Sequence, residues 1–181
     1  MKQLFILIIM AVLLMPAVAT AQDDKQGEKK KSLAHGESRI RSAEGVEGVS
    51  ALFVPKEIMA AFPTAESTKE DGLFRAVYAN GQLIGYALYS MPFSKGIKGY
   101  AGETPLLIAL TPEKKVLSVQ MLPNEETPAI ANKVLQSTLL QSWNGLTLKK
   151  ARKKSVDAVT GATYTSKSVI KSFKAAAKKA Q

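Results

Sequence analysis

The chain has 181 residues, no cysteine and a single histidine, His35. Without cysteine there can be no disulfide, thiolate zinc site, cysteine-held iron–sulfur cluster or C-x-x-C-H haem attachment. One histidine cannot form a histidine metal cluster, and His35 falls in the expected linker, which leaves no histidine for a Ser-His-Asp triad built on the folded core. Any redox or catalytic chemistry must therefore use carboxylates, hydroxyls or an organic cofactor.

The overall composition is that of a globular protein. The chain is 46% hydrophobic, 22% charged and 7% aromatic, and these fractions differ from those of a disordered chain. A length of 181 residues suits one domain with appendages.

The first 21 residues have the pattern of a secretory signal peptide. Lys2 gives a positive start, residues 4–14 are apolar, and Ala19-Thr20-Ala21 is a small-x-small cleavage pattern. The apolar run is much shorter than the roughly 20 residues that span a bilayer, so we favour cleavage before Gln22 over an uncleaved membrane anchor. We expect a signal peptide at 1–21, a charged flexible linker at 22–50, a folded domain at 51–181, and a periplasmic or secreted product.

Charge is distributed unevenly along the chain. The net charge is +10, and residues 149–181 carry ten basic residues and one acid, Asp157, which leaves +9 in that segment. A solvated cationic helix, a bound phosphate, an acidic partner protein or peripheral contact with an anionic membrane would each account for this excess. Nucleic acid is not expected, because the chain carries an export signal and the basic region lacks interleaved aromatics.

The central part of the chain predicts two hairpins. Residues 73–79 and 82–90 flank Asn80-Gly81, a strong signal for a two-residue turn, and a second β-rich pair lies at 105–110 and 116–122. Helices are expected at 55–62, 129–140 and 166–179, and an extended or strand segment at 155–160. Hairpins without strand–helix alternation indicate an α+β fold, an antiparallel hairpin-built sheet flanked by helices.

The helix at 166–179 is amphipathic. One face carries apolar residues, namely Val169, Ile170, Phe173, Ala176 and Ala177. The opposite face carries a lysine stripe, defined as Lys167, Lys171, Lys174 and Lys178. We expect the stripe to be exposed and to influence association with an acidic redox partner.

A run of small hydroxyl residues precedes that helix, from Asp157 through Thr160-Gly161-Ala162-Thr163 to Thr165. A helix N-terminus presents free N–H groups and the positive end of the helix dipole, which together favour an anion such as phosphate. Thr163 and Thr165 are candidates to cap the helix or to present a hydroxyl for modification. From the residues alone we favour a capped turn that binds no ligand, because serine and threonine caps are common.

The segment D-A-V-T-G-A-T, residues 157–163, resembles the D-x-x-[ST]-G-A-T motif of the FMN-binding domain family. That family includes the C subunit of the sodium-pumping NADH:quinone reductase, the G subunit of Rnf complexes and small exported flavoproteins. The resemblance implies that FMN is joined to Thr163 through a phosphoester made by a separate flavin transferase. It also implies supporting roles for the other motif residues: Asp157, Thr160, Gly161 and Ala162.

A second resemblance lies upstream in the expected order. Gly99-Tyr100-Ala101-Gly102, followed by two strands and then Glu126-Thr127-Pro128, is similar to the family's G-Y-x-G…E-T-P region. The resemblance places Glu126 and Thr127 near the polar edge of the flavin. Tyr100, Tyr164 and Trp143 are candidate stacking partners or ordinary core and rim aromatics. The family often has glycines after E-T-P, where this chain has Ala129 and Ala131.

Together with the signal-peptide pattern, the resemblance implies an exported electron carrier or electron-transfer subunit with covalent FMN, which acts with a membrane or periplasmic redox partner. No second catalytic constellation accompanies the motif, which favours electron transfer over a stand-alone enzyme. The alternative is a non-redox binding module whose basic C-terminal helix docks an acidic partner or a membrane surface.

Overall fold

The computed structural model describes residues 54–181. The predicted signal peptide and linker therefore lie outside the described residues. Among the residues described, every helix is too short or too polar to span a lipid bilayer.

The described residues form one antiparallel sheet with helices on both faces. The five strands are β1 (Ser67–Asp71), β2 (Phe74–Ala79), β3 (Gln82–Tyr89), β4 (Leu106–Leu110) and β5 (Val116–Met121), and they pair in chain order as a meander. The helices are α1 (Lys56–Ala61), α2 (Met91–Ser94), α3 (Pro128–Gln136), α4 (Leu148–Lys153) and α5 (Thr163–Lys179), with a 3₁₀ turn at Leu140–Trp143. The predicted α+β class is confirmed.

Both predicted hairpins are present. Asn80 and Gly81 join β2 to β3 with φ values of 49° and 71°, the pair of positive angles that a type I′ turn requires. The hairpin β4–β5 pairs Leu106 with Met121 and Leu110 with Val116. Each strand lies within one residue of its predicted bounds.

The central strand β4 explains why the sheet is covered on both faces. All five of its residues are buried, because alternate side chains enter two separate cores. Leu106, Ile108 and Leu110 join the core beneath α5, whereas Leu107 and Ala109 join the core beneath α1. Each fully buried aliphatic side chain contributes about 1.5–3 kcal/mol.

Helix α5 is the main cover of the first core. Val169, Phe173, Ala176 and Ala177 are buried as predicted, and Phe173 stacks on Trp143 with ring centroids 4.0 Å apart. Trp143 is fully buried by this contact. It is therefore a core aromatic and is not available to stack on a ligand.

Several element bounds differ from the predictions. Helix α5 begins at Thr163 instead of residue 166, so the predicted acceptor threonine is the first residue of the helix. Helix α3 ends at Gln136 instead of residue 140, because Ser137 is extended and its hydroxyl donates to the Val134 carbonyl. The segment 155–160 forms no strand, and Thr160 lies in a turn. Strand β1 and helices α2 and α4 were not predicted from the sequence.

Helix α3 also accounts for the alanines after E-T-P. The helix begins at Pro128, so Ala129 and Ala131 lie in its first turn. Alanine favours a helix over glycine by about 1 kcal/mol per residue. This chain therefore has a helix directly after Thr127.

Candidate functional site

The turn before α5 is fixed by a residue that the motif does not include. The Ser166 hydroxyl donates to the Ala162 carbonyl at 2.8 Å and accepts the Val159 N–H at 3.1 Å. Gly161 lies in the left-handed region with φ of 73°, a conformation that glycine adopts without strain. Together these contacts hold Thr163 at the first position of the helix.

Thr163 is exposed, and no side chain caps the helix there, since Ala162 occupies the N-cap position. The N–H groups of a first helical turn have no intrahelical partner and point beyond the helix end. Over the 17 residues of α5, the aligned peptide dipoles place about half a positive charge at this end. The Thr163 hydroxyl is therefore accessible in an environment that favours a phosphate.

Lys133 of α3 adds a full positive charge at the same place. A Cβ built on Gly161 would lie 2.8 Å from the Lys133 Nζ atom, so the ammonium group lies against the backbone of the motif. Within residues 54–181 the Lys133 ammonium forms no salt bridge. Sequence reasoning missed Lys133, although its position seven residues after Glu126 in an expected helix was a usable signal.

Glu126 joins the two motif regions. Its Oε1 atom accepts the backbone N–H groups of Ala101 and Gly102 at 3.0 and 3.1 Å, and its Oε2 atom accepts the Thr165 hydroxyl. A Cβ on Gly99 would lie 2.5 Å from Oε1, so that position requires glycine. Glu126 is 5% exposed, and its carboxylate joins the glycine loop 99–102 to the first turn of α5.

These contacts revise one prediction. Thr165 was a candidate helix cap, but it lies inside the first turn of α5, is fully buried and donates to Glu126. The structure places Glu126 beneath the site, where its oxygens are used by the protein itself. Thr127 is exposed at the start of α3 and makes no capping hydrogen bond.

The ionisation of Glu126 follows from these contacts. Burial raises its pKa, but hydrogen bonds from the Thr165 hydroxyl and the backbone amides of residues 100–102 lower the pKa by more, so the net pKa is below its ordinary value. The carboxylate is therefore ionised at neutral pH, and the ionised form is the one that holds the loop.

A groove runs along the start of α5. Its volume is about 260 Å³, and it is lined by Tyr100, Ile130 and residues 161–165. Tyr100 and Tyr164 are 65% and 71% exposed. Exposed aromatic rings on a concave surface are suited to contact a planar ring system.

Asp157 and Thr160 lie away from the groove lining. Both are exposed, and Asp157 lines a separate polar pocket with residues 137–139, Ser142 and Ser155. The structure thus brings together Thr163, Gly161, Ala162 and Thr165 with the loop that Glu126 holds. Asp157 stays on the approach to the turn.

Comparison with known proteins agrees with this geometry. The family model described as the FMN-binding domain matches residues 99–178, a range that contains the glycine loop, Glu126, Lys133 and Thr163. The G subunit of the proton-translocating ferredoxin:NAD(+) oxidoreductase complex of Clostridium ljungdahlii is 35% identical over 86 residues. The alignment covers 44% of this chain and 46% of that relative, so the chain matches less than half of the relative's length.

The matched range begins at the loop that Glu126 organises and ends near the end of α5, and it therefore spans the whole groove. The uncapped helix end, the Lys133 ammonium and the exposed tyrosines fit a ligand that has both a phosphate and a flat ring. On these grounds residues 99–178 of the chain are similar to the FMN-binding domain family.

Proposed function

We propose that this protein is an exported electron-transfer flavoprotein whose FMN is attached to Thr163 through a phosphoester. The observation that carries the proposal is the exposed Thr163 residue at the uncapped N-terminus of α5, with the Lys133 ammonium against Gly161 two residues before it. Bound FMN supplies reversible electron transfer; the chain supplies attachment, position and electrostatics.

The residues around Thr163 suit a phosphoester. A phosphodiester keeps one negative charge, which the helix dipole stabilises by about 0.3–1 kcal/mol. The Lys133 ammonium adds a second favourable charge. Tyr100 and Tyr164 flank the groove, where they would contact the flavin ring, and Glu126 holds the Tyr100 loop in place.

Attachment requires a separate enzyme. A threonine hydroxyl is a weak nucleophile without an adjacent base, and residues 54–181 contain neither histidine nor cysteine. A transferase that uses FAD would join Thr163 Oγ1 to the FMN phosphorus while the phosphoanhydride bond breaks. AMP leaves, and the hydroxyl proton passes to a base of the transferase.

The redox partner is proposed from the relative alone. That relative is a subunit of a proton-translocating oxidoreductase complex, so we propose that this chain exchanges electrons with a membrane redox complex. The signal-peptide pattern of residues 1–21 supports a location on the exported side of the membrane.

One experiment tests attachment and export together. The full chain is co-expressed with a flavin transferase, and the exported fraction is analysed by intact mass spectrometry. The expected mass is that of the chain from Gln22 plus one FMN less one water, and the denatured protein should keep flavin fluorescence. A mass that includes residues 4–14 would refute cleavage, and a mass without FMN would refute attachment.

Lys133 provides a second test. Lys133→Met should weaken non-covalent binding of FMN to the unmodified chain about fivefold, equivalent to about 1 kcal/mol for an exposed charge pair. The measurement is a fluorescence titration at low ionic strength. Riboflavin, which lacks the phosphate, should bind equally to both proteins, and Lys149→Met serves as the matched control. Equal losses for FMN and riboflavin would show that Lys133 does not act on the phosphate.

A further inference from the structure

The lysine stripe of α5 lies in line with the proposed flavin attachment point. At 100° per residue, the four lysines and Thr163 fall within about 80° of the helix circumference. Lys167, Lys171 and Lys178 are exposed and Lys174 is half-buried, which largely confirms the predicted exposure. Thr163 is the first residue of this line, roughly 6 Å along the axis from Lys167 and roughly 22 Å from Lys178.

The helices and the strand that pack most closely on α5 add no carboxylate to compensate this charge. Those elements are α2, α3, α4 and β4, and none of them contains an aspartate or glutamate. Helix α4 instead adds Lys149, Lys150, Arg152 and Lys153, and α3 adds Lys133. Glu126, in the loop before α3, does contact α5, where its buried carboxylate accepts the Thr165 hydroxyl. Thr165 lies about 120° or more around the helix from each stripe lysine, so the exposed stripe keeps its positive potential.

The lysine stripe consists only of charged side chains, and this composition indicates what kind of partner it binds. A helix that anchors in a lipid surface inserts large apolar side chains. On the body of α5, Val169 and Phe173 are buried and Ile170 is half-buried against the same core. Electron-transfer encounters are small, transient and steered by complementary charge.

We propose that the lysine stripe is the docking surface for an acidic redox protein, and that it guides this partner to the flavin at Thr163. Electron transfer to the docked partner rests on the proposed function, whereas docking on the lysine stripe does not. A partner aligned on the lysine stripe would reach the groove at the N-terminal end of α5, because Thr163 lies on the same side of the helix as the stripe.

The kinetic test uses two redox proteins of opposite charge. Flavin-loaded, reduced protein is mixed with plastocyanin, which is acidic, or with cytochrome c, which is basic. Each two-electron-reduced flavin returns to its oxidised form by giving one electron to each of two plastocyanin Cu²⁺ ions or two cytochrome c haem Fe³⁺ ions. The protons of the reduced flavin are released to the buffer.

The stripe variant is Lys167→Glu/Lys171→Glu/Lys178→Glu. At low ionic strength it should reduce plastocyanin about tenfold more slowly than the wild type and cytochrome c faster. The matched control, Lys56→Glu/Lys69→Glu/Lys115→Glu, changes the net charge equally at exposed positions outside α5. It should change each rate less than about twofold, and all differences should vanish in 1 M salt, where the Debye length is about 3 Å.

A second measurement needs no flavin. The unmodified, isotope-labelled chain is titrated with plastocyanin, and amide signals of α5 should shift in the wild type and the control but not in the stripe variant. Equal effects of the stripe and control variants in both measurements would overturn the proposal. Stripe-dependent sedimentation with phosphatidylglycerol vesicles, tighter than plastocyanin binding, would also overturn it in favour of a lipid surface. Stripe-dependent binding by a chain that never acquires flavin would uphold the docking surface and reject the proposed function.

Discussion

Replacing Thr163 by valine is expected to abolish covalent flavin incorporation completely. Valine keeps the shape of threonine but lacks the hydroxyl that forms the phosphoester. Co-expression with the transferase should then give a colourless protein at the mass of the unmodified chain. The fold should be retained, because the Thr163 side chain is exposed at the first position of α5.

The matched variant Thr163→Ser keeps a hydroxyl at the same position and should still become flavinylated. Thr160→Val is the second control, because Thr160 is an exposed hydroxyl residue of the same motif. Covalent flavin on Thr163→Val would move the acceptor to another hydroxyl, which peptide mapping would identify. If the wild type took up no flavin from a competent transferase, the binding-module alternative would replace the electron-transfer proposal.

Replacing Glu126 by alanine is expected to destabilise the domain by about 3 kcal/mol and to lower its melting temperature by about 10 °C. The substitution leaves the amides of Ala101 and Gly102 and the buried Thr165 hydroxyl without their acceptor. Thermal unfolding at pH 7 measures the effect. Glu125→Ala is the matched control, since the neighbouring carboxylate is exposed, and it should change stability by less than about 0.5 kcal/mol.

The contribution of Glu126 should also depend on pH. Its folded pKa is depressed, so the carboxylate stabilises the fold above the unfolded value of about 4.3. That stability is lost as the pH falls through the folded pKa. The stability difference between wild type and Glu126→Gln should therefore shrink from pH 6 towards pH 2, and a constant difference would contradict the assigned hydrogen bonds to the ionised form.

The hairpins and α5 could be predicted because their signals are local. Asn80-Gly81 specifies a turn, and the apolar spacing of α5 specifies which face is buried. Strand β1, whose sequence is Ser-Thr-Lys-Glu-Asp, was missed because it has no apolar alternation and three of its residues are exposed. Asp71-Gly72, which leads into the β1–β2 turn, was the available signal.

The segment that contains Thr163 could be predicted from the sequence, but the contacts that hold this segment in place could not. The D-A-V-T-G-A-T resemblance drew attention to Thr163, and the family match to residues 99–178 agrees with it. The contact between Glu126 and Thr165 joins residues 39 apart in sequence, and the Lys133 ammonium reaches Gly161 from a different helix. Contacts of this kind depend on how α3 and the loop 99–102 pack on α5, which no local pattern encodes.

The uncapped start of α5 links flavin attachment at Thr163 to the stability of the first turn of this helix. Alanine at the N-cap leaves the first N–H groups without a side-chain acceptor, whereas a serine, threonine or aspartate there would contribute about 1 kcal/mol. In the proposed flavinylated protein, a phosphoester on Thr163 would supply acceptor oxygens for those N–H groups. The cofactor would then serve as the missing helix cap, so that the loaded protein resists fraying and proteolysis at the groove better than the empty one.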